Sequence, residues 1–123
     1  MRALAELAVP ADSRLAVTAG FEAEGGEAGF EELLTRASFE PANLPTAVVA
    51  VSDELAIGLI FAARQWGVRV PQDLSVVGVD DHDMARYFGL TTVAQPVIEQ
   101  GRLAASILCD LIRGGPIPDP AVL

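Results

Sequence analysis

Four side chains of different chemistry stand where strand-like segments of the sequence end. Phe21 follows Leu15–Ala19, Ser52 follows Ala47–Val51, Asp80 follows Ser75–Val79 and Gln95 follows Thr91–Ala94. In an open parallel sheet, ligands bind beyond the carboxyl ends of the strands, because the loops diverge there and helix N-termini expose unpaired N–H groups. An aromatic face, a hydroxyl, a carboxylate and an amide on one such rim suit a polyhydroxylated or heterocyclic small molecule. Its ring stacks on Phe21, while Asp80 accepts hydrogen bonds from hydroxyls or amines. Each residue also has an ordinary structural reading. Asp80 or Asp81 turns or caps the chain after a strand, Ser52 or Asp53 caps the next helix, Phe21 packs under a loop and Gln95 is a solvated amide.

Other candidate chemistries are weaker. The run Asp80-Asp81-His82-Asp83 has metal-binding residue types, but consecutive side chains point in different directions, so a solvated acidic turn is expected and no metal site. Cys109 lies near the apolar stripe of the last helix, lacks a neighbouring histidine or cation to activate it and reads as a small core residue. Gly25, Gly26 and Gly29 match no phosphate-loop spacing, and acidic residues surround them. With one histidine, one cysteine and no nucleophile-elbow serine, no catalytic constellation and no cofactor are expected.

These residues belong to a chain of 123 residues with 51% hydrophobic content and mean hydropathy +0.39, enough for a single domain over 1–123 with its own core. The net charge is −9, and all eight basic residues are arginine, dispersed along the chain. A surface of that sign repels phosphate backbones, so direct nucleic-acid contact by this chain is not expected. No apolar run reaches the ~18 residues that span a bilayer, and Glu6 falls where a signal peptide would be apolar. The expectation is a cytoplasmic chain without membrane association. The lone cysteine excludes an internal disulfide.

The elements that must position the four residues alternate. Strands are predicted at Leu15–Ala19, Ala47–Val51, Ser75–Val79 and Thr91–Ala94, and helices at about Glu27–Arg36, Asp53–Trp66 and Val97–Arg113, with a further helix over Arg2–Leu7. The segment Ala47–Val51 is apolar throughout, and Ser75–Val79 is so after its serine, as parallel strands covered on both faces are. The predicted fold class is α/β: a doubly wound, mostly parallel sheet with helices on both faces. The helix Asp53–Trp66 is apolar nearly all round, which predicts a homodimer through Leu55, Leu59, Ile60 and Trp66.

Together, Ser52-Asp53-Glu54-Leu55-Ala56-Ile57-Gly58, the run Gly67 to Asp81 and Leu90-Thr91-Thr92-Val93 resemble the lactose-repressor/galactose-repressor family of bacterial transcription regulators, from about Arg2 to Gly115. The resemblance implies a helix-turn-helix followed by two periplasmic-binding-protein-like lobes with an effector between them. This chain is similar to the C-terminal lobe. It also implies that Phe21, Ser52, Asp80 and Gln95 contact a sugar or nucleoside-like effector, that the lobe takes part in dimerisation, and that operator DNA is bound elsewhere in the parent protein. The chain departs from the family in lacking the other lobe and a ligand-binding arginine, in a shorter Arg86–Leu90 loop without the usual proline, and in Val97, where some members place an aromatic. One lobe of a periplasmic-type sugar transport protein is the alternative; a phosphoacceptor receiver domain would need a lysine, and the chain has none.

Overall fold

The computed structural model describes Glu6, residues 15–117 and Asp119. The predicted helix Arg2–Leu7 lies outside the described residues except for Glu6, which is helical. The elements run α1 (Ala23–Arg36), β1 (Ala47–Val49), α2 (Asp53–Gln65), β2 (Ser75–Asp80), the single turn α3 (Ala85–Phe88), β3 (Thr91–Ala94) and α4 (Val97–Ile112). Among the described residues the sheet has three strands in the order β1-β2-β3, all parallel. Val49, Val77 and Thr91 stand side by side across it, as do Gly78 with Thr92 and Val79 with Val93.

Side chains alternate along a strand, so this register sorts the sheet into two faces. Val76 and Gly78 are buried, and β2 packs there against α2. Val49, 75% exposed, and the exposed Val93 lie on the other face. The core joins Phe30 and Leu34 of α1, Leu55, Leu59 and Ile60 of α2, and Leu74, Val76 and Leu90 around the sheet. Each large apolar side chain fully buried there contributes roughly 1.5–3 kcal/mol.

The α1–α2 contact is the most extensive between helices, and glycine makes it possible. A Cβ on Gly26 would collide with the Leu55 carbonyl oxygen, and one on Gly58 with the Ala23 carbonyl oxygen, so each helix lays bare backbone against the other. This is why α1 starts at Ala23 rather than at the expected Glu27. Gly25 and Gly26 mark close packing inside a helix, not a loop before it.

The packing corrects the expected dimer surface. Leu55, Leu59 and Ile60 are buried within the chain itself, because β2 covers one side of α2 and α1 another. Trp66, at the end of α2, remains half-exposed, and so does Phe61. Trp66 pairs with Phe39, whose ring centroid is 6.2 Å away.

A second correction concerns Leu15–Ala19, which forms no strand. The Ala16 carbonyl accepts a hydrogen bond from Arg36 Nη1 at 3.0 Å instead of a ladder bond. A cleft of about 550 Å³, lined by this segment, β1 and the glycines of α1, separates it from the sheet edge. The strand expected at Ala47–Val51 is correspondingly short, ending at Val49.

The turn leading into β2 is fixed by charge. Asp73 accepts hydrogen bonds from the Arg69 backbone N–H at 2.9 Å, from its Nε at 2.7 Å and from Nη2 at 2.6 Å. The Arg69 guanidinium holds the Asp73 carboxyl down to about 2. A carboxyl whose folded value lies below its unfolded value stabilises the fold above the ordinary aspartate range, and that contribution is lost only as pH falls through about 2. The entry to β2 is therefore indifferent to pH near neutrality.

The glycine crossing yields a paired prediction. Gly26→Ala and Gly58→Ala should each lower unfolding free energy by at least about 1–3 kcal/mol, since helix backbones must separate to admit a methyl group. Gly101→Ala in α4, where an added Cβ meets nothing within 4 Å, should be neutral or stabilising by up to about 1 kcal/mol. Urea denaturation of the three variants checks the contrast; equal effects would contradict it.

Candidate functional site

Of the four residues, Asp80 and Gln95 stand at the carboxyl ends of β2 and β3, Ser52 at the start of α2 and Phe21 just before α1, and hydrogen bonds link them in two pairs. Ser52 is the N-cap of α2. Its Oγ accepts from the Leu55 N–H at 3.2 Å, which satisfies one of the unpaired donors of the first turn. The same hydroxyl donates to the Phe21 carbonyl oxygen at 3.3 Å, and so holds the segment entering α1. Phe21 itself projects outward, 67% exposed. Ser52 is 8% exposed and its only proton is already committed to Phe21. It sits behind the rim rather than on it.

The second group gathers at the end of β2. Asp80 pairs in register with Ala94, and the next residue on that strand's exit, Gln95, donates from Nε2 to Asp80 Oδ1 at 2.6 Å. Both side chains are exposed. The backbone here is strained: Asp80 has φ of 133° and Asp81 φ of 60°. Such conformations cost of order 1–3 kcal/mol for non-glycine residues and persist where surrounding contacts impose them. The contacts are visible. The Asp81 N–H donates to Thr92 Oγ1 at 3.1 Å and the His82 N–H to Asp53 Oδ2 at 2.7 Å. His82 Nδ1 then accepts from the Met84 N–H at 3.1 Å, starting the turn of α3.

Thr92 and His82 were not singled out as site residues from the sequence, and Asp53 was read there as a cap of its own helix rather than as a partner of His82. For Asp53 a signal existed. Ser52 and Asp53 offer two candidate caps for one helix, and only the serine is needed, which leaves the aspartate without a task in its own helix. Gly78 was a second signal, since a glycine within an otherwise β-branched strand marks a close approach. Its Cα lies against Asp53, and a Cβ there would strike Asp53 Oδ1.

The rim is acidic, carrying Glu22, Asp80, Asp81 and Asp83, with Glu54 in the first turn of α2. It suits neutral, hydroxyl-rich or cationic groups and disfavours phosphates. The cleft beside β1 is lined almost wholly by aliphatic residues and glycine and lies away from Asp80 and Gln95, so its chemistry is not that of the rim. Among the described residues, no cluster of three histidine, cysteine or acidic side chains has metal-site geometry, and no helix is long and apolar enough to cross a membrane.

The arrangement can be set beside known proteins. Residues 1–123 match the model of the periplasmic binding protein-like domain. A ribose operon repressor of Haemophilus influenzae is 41% identical over 113 residues, which cover 90% of this chain and 32% of the relative. This chain belongs to the periplasmic binding protein-like domain family. A LacI family transcriptional regulator from Mycobacterium smegmatis superimposes with a TM-score of 0.86 at 34% identity, covering 96% of this chain and 43% of that one. The regulator CelR in its cellobiose complex gives a TM-score of 0.83 at 35% identity, covering 92% and 34%. The chain thus spans about a third of the length of the curated relatives it matches. The α/β class and the parallel sheet expected from the sequence are those of the family.

The strained rim generates one prediction. Asp81→Gly should raise unfolding free energy by roughly 0.5–1 kcal/mol, because glycine adopts φ of +60° without the steric penalty, offset in part by its greater freedom when unfolded. A denaturant midpoint that rises at unchanged slope would show this; a fall would mean the Asp81 side chain itself stabilises the loop.

Proposed function

We propose that this chain is the ligand-sensing and dimerisation subdomain of a bacterial transcription regulator. A small effector, sugar or nucleoside-like, binds at the rim and controls operator binding by a helix-turn-helix outside these 123 residues. The observation that carries the reading is the Asp80–Gln95 pair presented, with the exposed ring of Phe21, at the carboxyl edge of an all-parallel sheet. Asp80 accepts hydrogen bonds from effector hydroxyls or amines, Gln95 both steadies that carboxylate and offers its amide oxygen, and Phe21 covers an apolar ring face. Ser52 assists from behind by holding the Phe21 segment. The reading involves binding and no catalysis, and places the chain in the cytoplasm with the DNA it regulates.

Helix α4 supports a larger assembly. It is amphipathic, with Val97, Ile98, Gly101, Ala104, Ala105, Leu108, Leu111 and Ile112 along one broad face, and none of its side chains is buried. In the proposal, the remainder of the parent protein covers this face, completing the cleft whose other wall the effector needs. Homodimerisation proceeds through the outer side of α2, where Phe61 and Trp66 are exposed, since Leu55, Leu59 and Ile60 serve the core.

Two measurements test these roles. Isothermal calorimetry with D-ribose should detect weak binding by the chain, lost by at least about tenfold on Asp80→Ala; unchanged affinity in the variant would remove Asp80 from the site. Sedimentation equilibrium should give a dimer that Phe61→Glu converts to monomer, whereas a wild-type monomer at all concentrations would end the α2 interface.

A further inference from the structure

Asp53 is the one fully buried ionisable side chain among the described residues, and its surroundings are unusual. Its Oδ2 accepts a single hydrogen bond, from the His82 backbone N–H, at 2.7 Å. Its Oδ1 is buried without a hydrogen-bond partner among the described residues, against the bare Cα of Gly78. It does not cap its own helix, because Ser52 does so. A buried carboxylate oxygen without a donor costs free energy, so its retention implies that the group constrains something the fold does not hold otherwise.

What it constrains is the loop that presents Asp80. The two residues before His82 are Asp80 and Asp81, the pair held at φ of 133° and 60°. Relaxation of Asp80 to negative φ would turn its carboxylate relative to β3 and away from Gln95, and relaxation of Asp81 would displace the chain at His82 that anchors the turn. One end of the strained pair is fixed by the β2–β3 ladder, which runs as far as Asp80–Ala94. At the other end, Asp53 grips the His82 amide from 29 residues earlier in the chain. The Asp80–Gln95 pair and the Asp81 bond to Thr92 also restrain that stretch, but both are exposed where the Asp53 bond is partly buried. The gap left by Gly78 is what lets a carboxylate from α2 reach across the end of β2.

The same helix end holds the other wall of the rim, through Ser52 and the Phe21 carbonyl. We infer that Asp53 is a positioning residue for effector recognition: anchored at the N-terminus of α2, it fixes the Asp80–His82 loop so that the Asp80 carboxylate stands at a set distance from Phe21. Asp53 touches no effector. The inference rests on the reading of Asp80 and Phe21 as effector contacts for its function, but the anchoring itself is independent of that reading.

The test has two arms on this chain. In the first, without any ligand, NMR follows the His82 amide and the φ-dependent HN–Hα couplings of Asp80 and Asp81. Wild type should show a protected His82 amide with a through-hydrogen-bond coupling to the Asp53 carboxylate carbon. Asp53→Ala should accelerate exchange of that amide by at least about tenfold and shift both couplings toward negative φ, while the Ala50 amide, bonded to Val77, is unchanged. Asp53→Asn keeps an acceptor oxygen and should restore the wild-type couplings. Thr92→Val, which removes the restraint on Asp81, should have the smaller effect. In the second arm, D-ribose is titrated into each variant, and affinity should fall for Asp53→Ala and recover for Asp53→Asn.

A folded Asp53→Ala with unaltered Asp80 and Asp81 couplings overturns the proposal. Should that variant not fold, absence in wild type of the coupling between the His82 amide and Asp53 overturns it equally, and its presence together with retention by Asp53→Asn supports it. Altered couplings with no D-ribose binding to wild type would uphold the anchoring and count against the effector reading alone.

Discussion

Helix α2 touches almost everything that matters here, and it does so because its two ends and two sides are specialised. Gly58 brings its backbone against the Ala23 carbonyl, Gly26 of α1 returns the contact at Leu55, and Leu55, Leu59 and Ile60 fill the space between α1 and β2. Rotating or shifting α2 would break this packing at once, since helix backbones in direct contact have no side chains that can rearrange to compensate. The N-terminus of α2 is thereby fixed relative to the sheet. Ser52 and Asp53 carry that rigidity outward to two loops that have little support of their own.

The rim follows from this arrangement. A carboxylate at a strand end is common, but one held at positive φ, paired with an amide from the neighbouring strand exit and backed by a buried aspartate, has very little freedom. Preorganisation of this kind lowers the entropic cost of ordering the site when a ligand arrives. It also explains the location of strain: Asp80 and Asp81 carry it because the ladder on one side and α2 on the other leave no alternative path for the chain between Asp80 and His82.

Much of this was legible in the residues, and the exceptions have physical causes. The all-apolar segments around Val48 and Val77, the Ser-Asp start of α2 and the Gly67 stop identify parallel strands and a bounded helix, because local chemistry alone decides them. The positions of Asp80 and Gln95 follow from topology once their strands are placed, whereas Phe21 was expected beyond a strand at Leu15–Ala19 that does not form and is tied to the start of α2 by the Ser52 hydroxyl instead. The start of α1 was expected four residues late, at Glu27, since the use of Gly26 depends on how closely α2 approaches and that of Gly25 on how closely Gly20 does, and no local pattern reports either. The same holds for Leu55, Leu59 and Ile60: an apolar helix surface does not say whether the chain's own α1 or another molecule covers it. Leu15–Ala19 has strand composition but not strand hydrogen bonds, and its Ala16 carbonyl accepts from the Arg36 side chain, a partner that strand propensity does not report. Asp53 was read as an alternative helix cap because its actual partner is a backbone N–H distant in the chain, invisible to any reading of side-chain types.

Gln95 ends β3's exit and is followed, after Pro96, by the sixteen-residue helix α4. A helix of that length is a rod of about 24 Å, so whatever grips its greasy flank holds a long handle whose pivot is the amide bonded to Asp80. A tilt of only about five degrees at the pivot sweeps the far tip through about 2 Å, and the converse holds as well: a nudge at the rim is amplified at Ile112. The molecule thus carries a long arm that begins beside the Asp80–Gln95 hydrogen bond.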